Sequence, residues 1–150
     1  MDPGATTGLA LVKLVHDYPP ILIRSREARV SPWDAVSALE FAQTMQLWVS
    51  DADEVAVEEL STFRAGSVVT PDQMKPAAVS ALVCLVAAGL DRPMFRYHPK
   101  TVRKNVAGSG SAGDRVMRAA LKDILRVDGR LVMKVHEMDA VAVALYAGRL

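Results

Sequence analysis

Two extended apolar stretches joined by a rigid turn limit what this chain can become. Thr7 to Val15 reads as a strand, Tyr18-Pro19-Pro20 as a turn, and Ile21 to Val30 as a second strand. Consecutive prolines fix their backbone and donate no ladder hydrogen bond, so the first strand must end before them. In the second strand Arg24, Arg26 and Arg29 interleave with smaller residues. The pair predicts an antiparallel hairpin, and a hairpin needs further elements to cover its apolar face.

The following segments supply them. Ser31 and Pro32 suit the N-cap and first turn of a helix to about Val49, with Val36, Leu39, Met45 and Leu47 among its apolar residues. Asp51 to Asp53 read as loop. Val55-Ala56-Val57 is a short buried strand with Glu58 at its carboxyl end, and Ser61 to Val69 a mobile loop. Thr70-Pro71-Asp72 opens a second helix reaching about Leu90, with Cys84 on its apolar side as inert core. Pro93 to His98 is another short strand, and Pro99 to Gly113 a basic, then glycine-rich, connection. Asp114 caps a helix to about Arg126, Leu131-Val132-Met133 is a short apolar run, and His136 to Arg149 is the last helix. This order predicts an α/β domain with a mixed sheet flanked by helices. One domain over residues 1–150 is expected, with no repeat, low-complexity segment or linker.

Composition narrows the class. With 51% hydrophobic and 23% charged residues the chain is globular rather than disordered. A single cysteine excludes a disulfide framework and a cysteine zinc site, and fits a reducing, cytoplasmic compartment. No secretory signal is recognisable, and the alanine-rich stretch from Pro76 to Leu90 is too short to span a bilayer, so no membrane partner is expected. That stretch is one candidate for a subunit interface, core packing being the other reading.

The net charge of +1 hides an asymmetry. Between Arg92 and Lys134 stand eleven Lys and Arg against three Asp and Glu; the remainder holds seven basic and fourteen acidic residues. A basic region beside acidic corners suits a metal-dependent enzyme acting on nucleic acid, or else a solvated basic surface. Asp2, in the turn Asp2-Pro3-Gly4, is one acidic corner. Glu58, ending an apolar strand, is a second. Asp139 is a third, sharing a helix face with His136 three residues earlier. Asp2, Glu58 and Asp139 together offer the oxygen ligands that Mg²⁺ or Mn²⁺ prefers. Two such ions clamp the attacking and leaving oxygens in phosphodiester chemistry. His136 would ligate one ion or move a proton.

The basic side has its own pattern. Arg115, Arg118, Lys122 and Arg126 fall on one helical stripe, with Val116, Ala120, Leu121 and Ile124 on another. Lys100, Arg103 and Lys104 add charge upstream; such cations contact phosphates without reading sequence. Phe63, in the loop after Glu58, could stack on an exposed base, the other reading being a partly buried aromatic or one that caps a partner surface. Gly108-Ser109-Gly110-Ser111-Ala112-Gly113 matches G-x-G-x-x-G, but its late position and poor strand context argue against a dinucleotide site. It reads as a flexible turn approaching a phosphate backbone.

Four segments, in order, resemble the RuvC family of Holliday junction resolvases, within the ribonuclease H-like superfamily. They are Asp2-Pro3-Gly4-Ala5-Thr6-Thr7-Gly8, Ala56-Val57-Glu58-Glu59, the segment from Val102 to Ala112, and His136-Glu137-Met138-Asp139-Ala140-Val141-Ala142-Val143-Ala144. The resemblance implies a homodimeric endonuclease with two active sites across a four-way DNA junction, nicking opposing strands symmetrically. It implies Asp2, Glu58, His136 and Asp139 as the metal-binding catalytic set, and contacts from the basic segment to the junction backbone. The family carries a short apolar strand ahead of its first aspartate, whereas only Met1 precedes Asp2. Either the numbering starts late or the first strand is truncated. Phe63 also lies further along than the aromatic that follows the glutamate in some relatives. Two alternatives keep the fold: a ribonuclease H-like RNA-processing nuclease, and a branched-DNA-binding module that does not cleave. Bacterial and phage origins are equally compatible.

Overall fold

The computed structural model describes residues 5–59 and 70–148. Asp2, Phe63 and the loop expected at 61–69 lie outside these residues. Strand β1 (Ala5–Lys13) pairs antiparallel with β2 (Ile21–Val30), in a register running from Ala5 opposite Val30 to Lys13 opposite Ile21. The reversal passes through Asp17 with φ of 63°, a left-handed conformation that aspartate tolerates better than most residues. The hairpin is thus the expected one, starting two residues early.

Helix α1 (Ala35–Ser50) corrects the expected start. Asp34 is its N-cap, accepting the Ser37 N–H at 2.7 Å, while the Ser31 N–H donates to Ser37 Oγ at 2.9 Å. Both Ser31 and Asp34 have capping side chains; the helix begins after the second because residues 32–34 form a turn. Phe41, Met45 and Val49, four apart, face the core, whereas Val36, Leu39 and Leu47 are exposed.

Strand β3 (Val55–Glu58) runs parallel to β4 (Met94–Tyr97), with Glu58 opposite Tyr97. The crossover between them carries α2 (Pro71–Gly89), as parallel pairing requires. Cys84 on α2 is half-buried and accepts from Arg96 Nη2 at 3.2 Å.

The expected connection from Pro99 to Gly113 begins instead with a helix, α3 (Pro99–Ala107). Its punctuation is conventional: His98 caps it, Pro99 opens it, and Gly108 closes it at φ of 79°. Its cationic residues obscured the only buried positions, Val102 and Val106, one turn apart. Helix α4 (Asp114–Leu125) starts with Asp114 inside the first turn and Gly113 at the cap position. Its buried stripe is Met117, Leu121 and Leu125, one position round from the expected one, and Val116 is exposed. Leu131-Val132-Met133 forms no strand. Helix α5 (Val135–Ala147) buries Met138, Val141, Ala142, Val143 and Leu145, so it is apolar nearly all round and runs through the core.

The core has two parts. Helices α3, α4 and α5 share one cluster, built on Met117, Leu121, Met138, Val141 and Leu145. The other joins Leu9 and Val30 of the hairpin to Phe41 of α1, Val55 of β3 and Val79 and Val83 of α2. Antiparallel and parallel pairing are both present, as expected of a mixed sheet, but the described strands form two separate pairs. Between β1 and β3 lies a cleft of about 800 Å³, bounded also by α1, α2 and α5.

Candidate active site

The amino-terminal half of α5 can serve chemistry only if it is held, and three contacts hold it. The first is a close crossing with β1. At Gly8 an added Cβ would overlap the backbone carbonyl of His136 and lie 2.9 Å from the Glu137 nitrogen. Only glycine allows the strand to pass so near the helix's first turn. The second joins α5 to β2, through Lys134 Nζ to Glu27 Oε2 at 3.3 Å and a long contact of 3.5 Å from Ser25 Oγ to Glu137 Oε2. The third comes from α4, where Arg118 Nη1 donates to the carbonyls of Leu131 at 3.1 Å and Met133 at 2.8 Å. These bonds satisfy the backbone leading into α5 and explain why residues 131–133 are ordered without being a strand.

On this support, Glu58, His136 and Asp139 all line the cleft. Glu58 is set by β3, whose ladder continues past it, since the Glu59 N–H donates to the Tyr97 carbonyl at 2.8 Å. His136 is exposed at the mouth, and Asp139 is half-buried one turn deeper. The Glu58 side chain reaches solvent, yet the surrounding protein lifts its pKa above the ordinary value. Desolvation is the main cause and the Asp139 carboxylate adds to it; Arg103, His136 and His98 pull the other way. Two carboxylates close enough to repel, with a histidine beside them, concentrate negative charge in one place. A carboxyl raised by burial and by a neighbouring carboxylate, as Glu58 is, marks functional sites more often than plain surface.

The donor set fits a hard divalent cation, whose charge would offset this repulsion and which prefers carboxylate oxygens. Among the described residues no group of three His, Cys, Asp or Glu side chains stands ready as a cage. The third expected carboxylate, Asp2, lies outside the described residues.

The basic residues divide. Lys100, Lys104 and Arg115 are exposed, as backbone-contacting cations should be, and Lys122 is half-buried. Arg118 is spent on the carbonyls before α5, which corrects its place on a free cationic stripe. Arg103 is also half-buried, with Nη2 on Asp139 Oδ1 at 2.9 Å and Nη1 on the Ala112 carbonyl at 2.8 Å. Sequence reasoning missed His98, at the carboxyl end of β4, beside the strand that ends in Glu58. The strand-end logic that singled out Glu58 applies equally to His98. Its Nδ1 accepts the Lys100 N–H at 3.2 Å as the α3 cap.

Among known proteins, a crossover junction endodeoxyribonuclease RuvC of Corynebacterium diphtheriae is 30% identical over 130 residues, 83% of this chain and 77% of the relative. A protein of the same name from Myxococcus xanthus is 35% identical over 92 residues, 61% of this chain and 46% of the relative. Thermus thermophilus RuvC in complex with a Holliday junction substrate superposes with a TM-score of 0.76 at 22% identity, over 93% of this chain and 87% of that one. The structural likeness is one of fold, the ribonuclease H-like arrangement. No family model matches the chain.

Proposed function

The chain belongs to the RuvC family of Holliday junction resolvases, and on that premise we propose that it is a metal-dependent, structure-selective DNA endonuclease that resolves four-way junctions by paired nicks. The observation that carries the reading is the meeting of the Glu58 and Asp139 carboxylates in one cleft, with His136 at its mouth and the cationic α3–α4 surface alongside.

Asp2, Glu58 and Asp139 would hold the divalent ions, Mg²⁺ or Mn²⁺, which would supply an activated water and stabilise the leaving 3′-oxygen. The chain's own residues do the rest. Lys100, Lys104 and Arg115 draw the phosphate backbone to the α3–α4 side without reading bases. His136, exposed and on the same helical face as Asp139, accepts or delivers a proton at the attacking water or assists as a ligand. Phe63 is proposed to stack on a base exposed there.

Paired incision of a two-fold junction calls for two sites, so the active form is proposed to be a homodimer of single-domain subunits. The exposed Val36, Leu39 and Leu47 of α1 and Leu85 of α2 give such a dimer an apolar surface. A cytoplasmic location follows from the substrate; among the described residues no helix is long and apolar enough to cross a membrane.

Incubating the protein with a synthetic four-way junction in Mg²⁺, Mn²⁺ or EDTA tests the proposal. Symmetric, EDTA-sensitive nicks restricted to the junction are expected. Preferential cleavage of RNA or RNA–DNA hybrid would support the RNA-processing alternative, and binding without any product the non-cleaving module.

A further inference from the structure

Arg103 links two places that the active-site reading treats as separate. One nitrogen of its guanidinium donates to Asp139 Oδ1 at 2.9 Å, and the other to the main-chain carbonyl of Ala112 at 2.8 Å. Ala112 ends the glycine–serine turn between α3 and α4. That turn is compact: the Ala112 N–H donates to the Ser109 carbonyl at 3.1 Å, and the Ser109 and Ser111 hydroxyls lie 3.1 Å apart. Its other side rests on α3, where a Cβ added to Gly110 would meet the Lys100 carbonyl at 3.0 Å and the Lys100 Cβ at 3.3 Å.

We propose that Arg103 is a positioning residue: its guanidinium ties the glycine–serine turn to the Asp139 carboxylate, so that the backbone-contacting loop and the metal-binding acid keep one fixed separation. The inference rests on the resolvase reading for its catalytic consequence. It differs from a phosphate contact, the role that charge alone would suggest for a basic residue on α3. Three observations separate the two. Arg103 has only 26% of its side-chain surface exposed, Asp139 only 22%, and both Arg103 terminal nitrogens already have protein acceptors. Lys104, its neighbour, is exposed and turned to solvent.

The fork of the guanidinium is what the bridge needs. It is planar and rigid and presents two nitrogens at once, so one side chain reaches a carboxylate and a carbonyl together. An ammonium offers a single nitrogen and keeps the charge while losing the geometry. By engaging Oδ1, Arg103 also leaves Oδ2 of Asp139 for another partner, and partners of this kind fix the orientation of ligating carboxylates. Its charge partly offsets the repulsion between Asp139 and Glu58.

The test compares the parent with Arg103→Ala and Arg103→Lys in three measurements. Junction affinity in EDTA is measured across a salt series, single-turnover nicking at saturating junction and Mn²⁺, and amide hydrogen exchange of residues 109–113 without metal. Both variants are expected to bind the junction within about threefold of the parent, with an unchanged salt slope. Both are expected to nick about 10–100-fold more slowly, the usual effect of losing a group that orients a ligand, and to exchange the turn amides faster. Restoration of the rate by lysine, or a salt slope lowered by about one in Arg103→Ala, would make Arg103 a phosphate contact and overturn the proposal. So would unchanged exchange in the turn. If the parent does not nick, the resolvase reading fails by itself, and the exchange rates still decide whether Arg103 holds the turn.

Discussion

Replacing Gly8 with alanine asks most directly whether β1 positions helix α5. The added Cβ would overlap the His136 carbonyl and stand 2.9 Å from the Glu137 nitrogen. Every clashing atom is main chain, so no rotamer change relieves it. Ordinary carbon contacts lie at about 3.5–4 Å, so relieving the overlap with the His136 carbonyl requires β1 and the first turn of α5 to separate by more than ~1 Å. Overpacking of this kind costs about 1–3 kcal/mol. For a chain of this size, each kcal/mol lowers the melting temperature by about 2–4 °C. The catalytic effect is larger, because the turn that moves carries His136 and leads to Asp139. A displacement of about 1 Å at reacting groups can cost on the order of 10²-fold in rate. Gly89 is the control: a Cβ there meets nothing within 4 Å, and its φ is not positive. Gly89→Ala should change stability by less than about 1 kcal/mol, upward if at all, and leave nicking unchanged. Thermal melts and single-turnover junction nicking of both variants make the comparison. A Gly8→Ala protein that melts and nicks like the parent would refute the claim that this crossing sets the site.

Further outcomes follow from individual residues. Glu58→Gln should abolish nicking yet raise the melting temperature in EDTA at neutral pH. The folded-state pKa of Glu58 is raised, so its protonated form is favoured in the folded protein; that stabilisation is complete below the unfolded value and lost as pH rises through the folded one. The gap between variant and parent should therefore close on acidification, and a gap that widens would contradict the burial argument. Arg118→Ala leaves the Leu131 and Met133 carbonyls without their donor and should cost about 1–3 kcal/mol in denaturant unfolding, with the salt slope of junction binding unchanged. Lys104→Ala should leave stability within about 0.5 kcal/mol and lower that slope by about one. Met117→Ala, at a fully buried position, should cost about 2–5 kcal/mol.

The hairpin, the β3–α2–β4 crossover and the last helix were legible because each rests on a strong local signal: paired prolines, a short β-branched run, or apolar residues filling a helix. Helix α3 was not, since five of its nine residues are polar or charged and its two buried valines are one turn apart. Its caps were the usable signal. The α4 stripe was displaced by one residue because Val116 and Met117 are both apolar and only packing against α5 chooses between them. Glu58, His136 and Asp139 were singled out by strand-end and helix-face reasoning, and the structure brings them to one cleft. His98 was not found, and Arg103 was expected at the DNA backbone rather than on Asp139, because both reach the site through tertiary folding from α3 and the end of β4. Charge alone could not separate Arg103 and Arg118, which face backbone carbonyls, from Lys100 and Lys104, which face solvent.

The central claim is that Glu58 and Asp139 form one metal-dependent nuclease site. Its most direct measurement is junction nicking by Asp139→Asn, a change that keeps the side chain's shape and its contact to Arg103 while removing the charge. The variant should still bind a four-way junction in EDTA with parental affinity and produce no nicks in Mg²⁺ or Mn²⁺. Nicking at the parental rate would contradict the account.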